Sequence, residues 1–208
     1  MERGSYVAQS PSAVKGHGTV PTAEGGCATP RYTTYGETTM QPDTLLVFPS
    51  RLKWMAVIAA GTTVKQLTFG HPTATAAKAA LDAHLLAGAI PGDKDSSLVR
   101  RLQAYALGTV DDFHDVRIDL GPLSPFQRRV SEQCRRIPYG VTVGYAELAA
   151  KAGCPGGARA VGNCMAANRM PLLIPCHRVV CSNGRLGSYS APGGTETKRR
   201  LLTLESGN

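Results

Sequence analysis

The amino-acid sequence predicts an α+β protein in which a sheet comes first and helices follow. Three observations lead there. Between Leu45 and Phe69 two short apolar runs of strand type, Leu45–Phe48 and Trp54–Ala59, are followed by a Gly-containing turn and by Thr63–Phe69, which alternates with period two. From Phe126 onward they recur at i, i+4 and i+8, the spacing of one helix face. Between the two regimes stands Gly121-Pro122-Leu123-Ser124-Pro125, a cluster of residues that end regular structure and read as a linker.

Residues 1–43 contain no Leu, Ile, Phe or Trp and are rich in Gly, Ser, Thr and Pro. They bury too little apolar surface to offset the entropy of ordering, which predicts a disordered tail. Ordered structure is expected from Thr44. Leu45–Phe48, Trp54–Ala59 and Thr63–Phe69 read as strands, with Gly61-Thr62 as a turn, and together they form an antiparallel meander. Thr75–Leu86 is Ala-rich and reads as a single helix. Ser97–Ala106 reads as another, with Leu98, Leu102 and Tyr105 on one face, and Val116–Leu120 as a short strand. The first half, residues 44–121, is thus a small α+β domain whose own sequence points to no chemistry.

The second half, residues 122–208, is helical at its start. Phe126–Arg136 places Phe126, Val130 and Cys134 on one face, and Thr142–Ala152 turns Tyr145, Leu148 and Ala149 inward. Gly153-Cys154-Pro155-Gly156-Gly157 is a tight turn, and Ala158–Ala167 a further helix of small residues. Helix, Gly turn, helix is the helix-turn-helix pattern, although any α-hairpin with a Gly turn shares it.

Charge separates the halves more sharply. The formal net charge is +8. Residues 1–121 carry 11 Lys+Arg against 11 Asp+Glu, whereas residues 122–208 carry 12 against four, so the whole excess lies in the second half. A basic half suits a polyanionic partner such as nucleic acid; the competing reading is a solvated face that serves solubility. No apolar run approaches the ~20 residues of a membrane span, and no secretory signal is expected at the start. Cysteines 27, 134, 154, 164, 176 and 181 form no CxxC pair, which argues against zinc knuckles and a disulfide framework and for a reducing compartment.

The sharpest local signal is Ile174-Pro175-Cys176-His177-Arg178-Val179-Val180. Pro171 and Pro175 bracket three aliphatics, which predicts an extended rather than helical run. A thiol beside an imidazole is the minimum for an activated sulfur nucleophile, because the thiolate reacts and a His can take its proton. A buried Cys with an incidental His is the other reading of the same dipeptide. Ala158-Arg159-Ala160-Val161-Gly162 carries a second signal. One long cation among Ala and Gly suits close approach to another molecule, with Arg159 entering a groove or filling the gap left by a displaced base. A solvated Arg on a packed helix is the alternative.

Taken together, residues 122–208 resemble the catalytic domain of the methylated-DNA–protein-cysteine methyltransferases, the 6-O-alkylguanine-DNA alkyltransferases. The resemblance rests on Ile137-Pro138-Tyr139-Gly140, Tyr145-Ala146-Glu147-Leu148-Ala149, Ala158 to Gly162, Asn168, Ile174 to Val180, Gly187-Ser188-Tyr189-Ser190 and Gly193-Gly194 leading to Lys198, Leu201-Leu202 and Glu205. Gln66-Leu67-Thr68-Phe69-Gly70 extends it loosely into the first half.

That family pairs a ribonuclease-H-like antiparallel sheet domain with a winged-helix-like domain, so the resemblance implies both here. It implies direct-reversal repair of double-stranded DNA. An alkylated guanine, or a 4-O-alkylthymine, would flip into a pocket of a monomer that needs no cofactor and no metal, and Cys176 would keep the alkyl group irreversibly as a thioether. His177 would relay the thiol proton through a bridging water, since neighbours on an extended segment point apart, and Glu205 would hold its other nitrogen. Tyr145 would donate to the purine and Asn168 brace the turn before the cysteine. Arg159, with Ala158, Ala160, Gly162, Tyr145 and Ser182, would meet DNA. Val179, Tyr189, Ser190 and Lys198 would line the base pocket.

Against the family pattern, Ala191-Pro192 stand as an insertion before Gly193-Gly194, and Ala166 replaces a basic residue of some relatives. The implied location is the cytoplasmic nucleoid of a bacterium or archaeon, or a eukaryotic nucleus. Rival readings are a non-catalytic lesion-binding module, a Cys-His hydrolase and a winged-helix regulator that uses the alkylated cysteine as a signal.

Overall fold

Three consecutive antiparallel strands form the centre of the sheet in this computed structural model, which describes residues 41–181 and 184–207. They are β1 (Asp43–Ser50), β2 (Lys53–Ala60) and β3 (Thr63–His71). Their register runs from Asp43 opposite Ala60 to Ser50 opposite Lys53, and bulges interrupt the β2–β3 ladder. The meander expected from the alternation is therefore present. β2 is buried on both faces, so it reads as one apolar run: Met55 and Val57 join the main core while Ala56 and Ile58 pack on the opposite side with Ala77 and Leu81. The short edge strands β4 (Ile90–Pro91) and β5 (Arg117–Ile118) run parallel to their neighbours, so the five-stranded sheet, in the order β4-β1-β2-β3-β5, is mixed. The strand expected over 116–120 shrinks to two paired residues.

The expected tail lies outside the described residues up to position 40, and Asp43 already belongs to β1. The single helix expected over 75–86 is two. α1 (Ala74–Ala79) and α2 (Ala83–Ala87) are separated because Asp82 acts as an N-cap, accepting from His84 N at 2.9 Å, while its own backbone N–H donates to Gln66 Oε1 at 2.9 Å. A cap plus a tertiary bond from β3 outweighs the helix propensity of Ala. In α3 (Ser97–Tyr105) the buried face is Val99, Leu102 and Tyr105, with Leu98 only partly buried.

α4 (Pro125–Arg135) starts with a capping box in which Ser124 and Gln127 exchange hydrogen bonds, with proline at the first turn. The next helix is shorter than the expected 142–152. Val143–Gly144 form β6, paired in parallel with β7 (Val179–Val180), and α5 begins only at Tyr145, running to Lys151. The 153–157 turn needs left-handed backbone at Gly153 and Gly156, and α6 (Ala158–Ala166) follows. α7 (Gly194–Ser206) closes the chain. One buried apolar cluster includes Phe48 and Leu67 of the sheet, Tyr105 of α3, Val130 of α4, Leu148 of α5, Val161 of α6 and Leu201 of α7. The elements on which the site is built therefore share a core with the sheet.

Candidate active site

Cys176 sits on a turn, not on the extended run expected from the flanking prolines. Leu172 adopts a left-handed conformation, Ile174 N donates to Met170 O at 2.8 Å, and Pro175 has φ −77° and ψ 64° with Cys176 N bonded to Ile174 O at 2.7 Å. That last geometry is an inverse γ-turn. Cys176–Arg178 then form one 3₁₀ turn. Prolines exclude a helix over 171–175 but leave ψ free, and burial of Leu172, Leu173 and Ile174 selects the coiled path. Successive side chains on a 3₁₀ turn diverge by about 120°, so Cys176 and His177 still point apart, for a different reason.

Asn168 braces this turn as expected. Its Nδ2 donates to Ile174 O at 2.9 Å and to Cys176 Sγ at 3.1 Å, and its Oδ1 accepts from Met170 N at 3.0 Å. One side chain thereby ties both ends of the loop to the sulfur.

Behind the sulfur lies a buried polar network. Glu205, in the last turn of α7, accepts from His177 Nε2 at 2.9 Å, from Arg178 Nη2 at 2.9 Å and Nε at 3.0 Å, and from Tyr105 OH at 2.5 Å. Arg178 also donates to Asp112 Oδ1 at 2.8 Å and to the carbonyl of Ile137 at 2.6 Å. His177 and Arg178 are 0% and 2% exposed, so these are fully desolvated charges and dipoles. His177 Nδ1 is buried and has no hydrogen-bond partner in the protein. Sequence reasoning reached His177 and Glu205 but missed Arg178, Asp112 and Tyr105. Arg178 carried a signal, since an arginine next to a buried cysteine in an apolar run demands a counter-ion; Tyr105 showed only as a core aromatic.

Burial decides the resting charges. It pushes the Cys176 thiol up, an effect that the Asn168 amide and the Lys198 ammonium only partly offset, and it pushes His177 below the ordinary 6.5 despite the Glu205 carboxylate. Both shifts favour a neutral thiol and a neutral imidazole at neutral pH. Glu205 is different. Burial raises it, but the hydrogen bonds from His177 and Arg178 outweigh burial and hold it at about 2, against an ordinary 4.5.

A depressed carboxylate contributes stability above its unfolded pKa and loses it as pH falls through the folded value. The shift amounts to about 3 kcal/mol. Because His177 is held neutral, acid also favours the unfolded chain below 6.5. The melting temperature is expected to decline below about pH 6.5 and more steeply below 4.5. A thermal melt series in acid checks this, and a flat curve to pH 3 would contradict the network.

In front of the sulfur, Tyr145, Gly162, Met165, Ala166, Ser188, Tyr189 and Ser190 surround Cys176 in a pocket of about 250 Å³. Lys198 does not reach this pocket. It is buried, donates to Val179 O at 2.6 Å and approaches Tyr145 OH at 3.4 Å, so it stands behind Tyr145. Val179 is likewise buried behind the wall rather than on it. Gly187, at φ +73°, lets the backbone pass the Tyr145 hydroxyl, which a Cβ would meet at 3.1 Å. The pocket opens into a groove of about 990 Å³ bordered by Tyr145, Ala158, Arg159, Gly162, Asn163, Ala166, Cys181 and Ser188.

On this groove Arg159 is exposed and Ala158 half-buried, whereas Ala160 is exposed but does not border it. Gly162 has ordinary helical backbone and open space where a Cβ would project. The fold itself does not require a glycine at this position. Ser182 lies outside the described residues. The inserted Pro192 packs on Gly70 of β3 and accepts from Thr197 Oγ1 at 2.5 Å. Not every cation of the basic half faces outward: Arg178 and Lys198 are buried, and Arg200 donates to the carbonyl of Arg51 at 2.6 Å.

The site thus holds a desolvated thiol, a buried imidazole nitrogen without a protein partner and a small-residue helix in front, reached from an open groove. Residues 125–207 match the DNA-binding domain of 6-O-methylguanine DNA methyltransferase. The methylated-DNA–protein-cysteine methyltransferase of Mycolicibacterium paratuberculosis is 44% identical over 107 residues, a stretch covering 51% of this chain and 62% of that relative. The Methanopyrus kandleri enzyme of the same name is 44% identical over 109 residues, 52% of this chain and 79% of the relative. The structure of Mycobacterium tuberculosis OGT in complex with DNA superposes with a TM-score of 0.64 at 31% identity, covering 79% of this chain and 93% of that one. The chain belongs to the methylated-DNA–protein-cysteine methyltransferase family.

Proposed function

We propose that this protein repairs alkylated DNA by direct reversal, moving the alkyl group of 6-O-alkylguanine to Cys176 in a single turnover. The observation that carries the reading is the placement of the Cys176 sulfur on the floor of a pocket that opens onto α6, with His177 Nδ1 left free to accept its proton. The flipped base enters past Tyr145 and Ser188, two residues shared by the pocket and the groove. The thiol proton passes through a bridging water to His177 Nδ1, because the two side chains point apart, Glu205 stabilises the resulting imidazolium, and the sulfur displaces guanine at the alkyl carbon. The S–C bond forms as the C–O bond breaks, and the electron pair departs on the guanine. Tyr145, backed by Lys198, donates to that purine. A thiol kept neutral until then is a poor target for stray oxidants and electrophiles.

DNA contact falls to α6: Arg159 takes the place of the flipped base while Ala158, Ala160 and Gly162 allow the backbone close. Double-stranded DNA carrying the lesion is then the partner, the protein acts as a monomer, and it works wherever the cell keeps its DNA. The same reading takes the sheet half as ribonuclease-H-like and the α5–turn–α6 half as winged-helix-like. Support comes from the mixed sheet and the two helices joined by a Gly turn.

The test is intact mass after mixing with a duplex containing methylated guanine. A gain of one methyl group on Cys176 without further turnover is expected. Repeated turnover would identify a hydrolase, and binding without mass gain a lesion-recognition module. Arg159→Ala adds a second readout. It is expected to slow transfer from duplex DNA at least tenfold and leave reaction with free benzylated guanine within about twofold, because only the duplex must be unstacked, at a few kcal/mol. Equal losses on both substrates would place Arg159 in folding or chemistry.

A further inference from the structure

We propose that Tyr105, contributed by α3, is a positioning residue for the transfer: its hydroxyl fixes the tautomer of His177 and limits the charge that Glu205 presents to the ring. The inference rests on Cys176 being the acceptor, as proposed above.

The hydroxyl lies 2.5 Å from Glu205 Oε1 and 3.3 Å from His177 Nε2, and Tyr105 is 1% exposed. A phenol has one hydrogen and a carboxylate can only accept, so that hydrogen goes to Glu205. The phenol oxygen then turns a lone pair toward Nε2. Glu205 Oε1, at 2.9 Å from the same nitrogen, is also only an acceptor. Both neighbours of Nε2 therefore require it to carry the hydrogen. The consequence falls on the far side of the ring, where Nδ1 keeps its lone pair and has no protein partner. This is the atom that the transfer needs bare.

The second effect concerns charge. Glu205 faces the ring from α7, Tyr105 from α3, and Arg178 and Cys176 from the ring's own turn, with Lys198 of α7 further off. Glu205 is the only anion among them. Every donor that binds its carboxylate weakens its pull on an imidazolium, and Tyr105 is one such donor. Without the hydroxyl, the imidazolium gains stability and the ring protonates at higher pH.

The ring of Tyr105 is held independently of its oxygen. It packs against Phe113 at 5.7 Å and edge-on to Tyr139 at 5.9 Å. Tyr105→Phe should therefore keep the packing and lose only the two polar contacts.

The experiment measures single-turnover transfer from a methylated-guanine duplex against pH. Tyr105→Phe is expected to move the acid limb of the profile up by about one unit, so that transfer on that limb falls up to about tenfold while the alkaline plateau stays within about twofold. Phe113→Leu is the control, since it loosens the ring's packing and keeps both hydrogen bonds; it should lower the melting temperature and leave the limb in place. Superimposable profiles for wild type and Tyr105→Phe overturn the proposal, and so does an equal shift in Phe113→Leu. Nitrogen NMR of His177 in the wild-type protein decides the tautomer directly, even if Tyr105→Phe does not fold. A protonated Nε2 with a bare Nδ1 is expected, and the reverse overturns the proposal. Failure of the wild-type protein to gain a methyl group on Cys176 would instead defeat the repair reading, and the tautomer measurement does not depend on it.

Discussion

Cys176→Ala is expected to abolish alkyl transfer outright and to leave duplex affinity within about twofold, because phosphate contacts rather than the thiol supply most of the binding free energy. Cys176 as a residue is 3% exposed, so it offers the duplex almost no surface. Removal of the sulfur leaves a gap of about one atom beside Asn168, whose amide loses one of two acceptors and keeps the Ile174 carbonyl. The fold should therefore survive. Intact mass reads the transfer and a salt-dependent titration reads the affinity. Cys181 is the informative bystander. It lies on the wall of the outer groove, not on the pocket floor. A methyl group arriving on Cys181 in the variant would show that the groove, and not the turn at Cys176, selects the acceptor.

Glu205→Gln is expected to affect stability as strongly as chemistry. The sequence suggests an acid that acts on His177 alone. In the fold the same carboxylate neutralises Arg178, which is buried and keeps only Asp112 as a counter-ion once the charge is gone. Removing one partner of a buried pair costs about 3–5 kcal/mol, a large share of the 5–15 kcal/mol that holds a typical domain together. Urea unfolding should register that loss. Arg178→Met should lose a similar amount, whereas the double variant Arg178→Met/Glu205→Gln should recover much of it, since replacing both charges strands neither. Additive losses would mean that the two residues do not act as a pair. Transfer by Glu205→Gln has to be expressed per folded molecule before any of it is assigned to the proton relay.

Much of the active-site turn was legible because its chemistry is local. Cys176 and His177 are adjacent, Asn168 is eight residues from the sulfur that it contacts, and the small residues of α6 follow one another. The meander was legible for the same reason: β1, β2 and β3 pair with their sequence neighbours, and each is a short apolar segment of strand type separated from the next by a turn. The failures have a common cause. Thr75–Leu86 looked like one helix because propensity ignores the bond from Asp82 to Gln66, sixteen residues away. Pro171 to Pro175 looked extended because proline restricts φ, whereas the left-handed Leu172 and the γ-turn at Pro175 answer to burial.

By itself, then, the sequence determined the α+β order, the place of the basic half, the adjacent cysteine and histidine, and the small-residue helix in front of them. Each depends on residue type and spacing over a few positions. The tertiary structure alone decided that Tyr105 meets a histidine 72 residues away and a carboxylate 100 residues away, that Arg178 shares that carboxylate, and that burial pushes the thiol up. Those outcomes depend on which distant groups meet in the absence of water. Desolvation and through-space hydrogen bonding set them, and neither leaves a periodic trace in a chain.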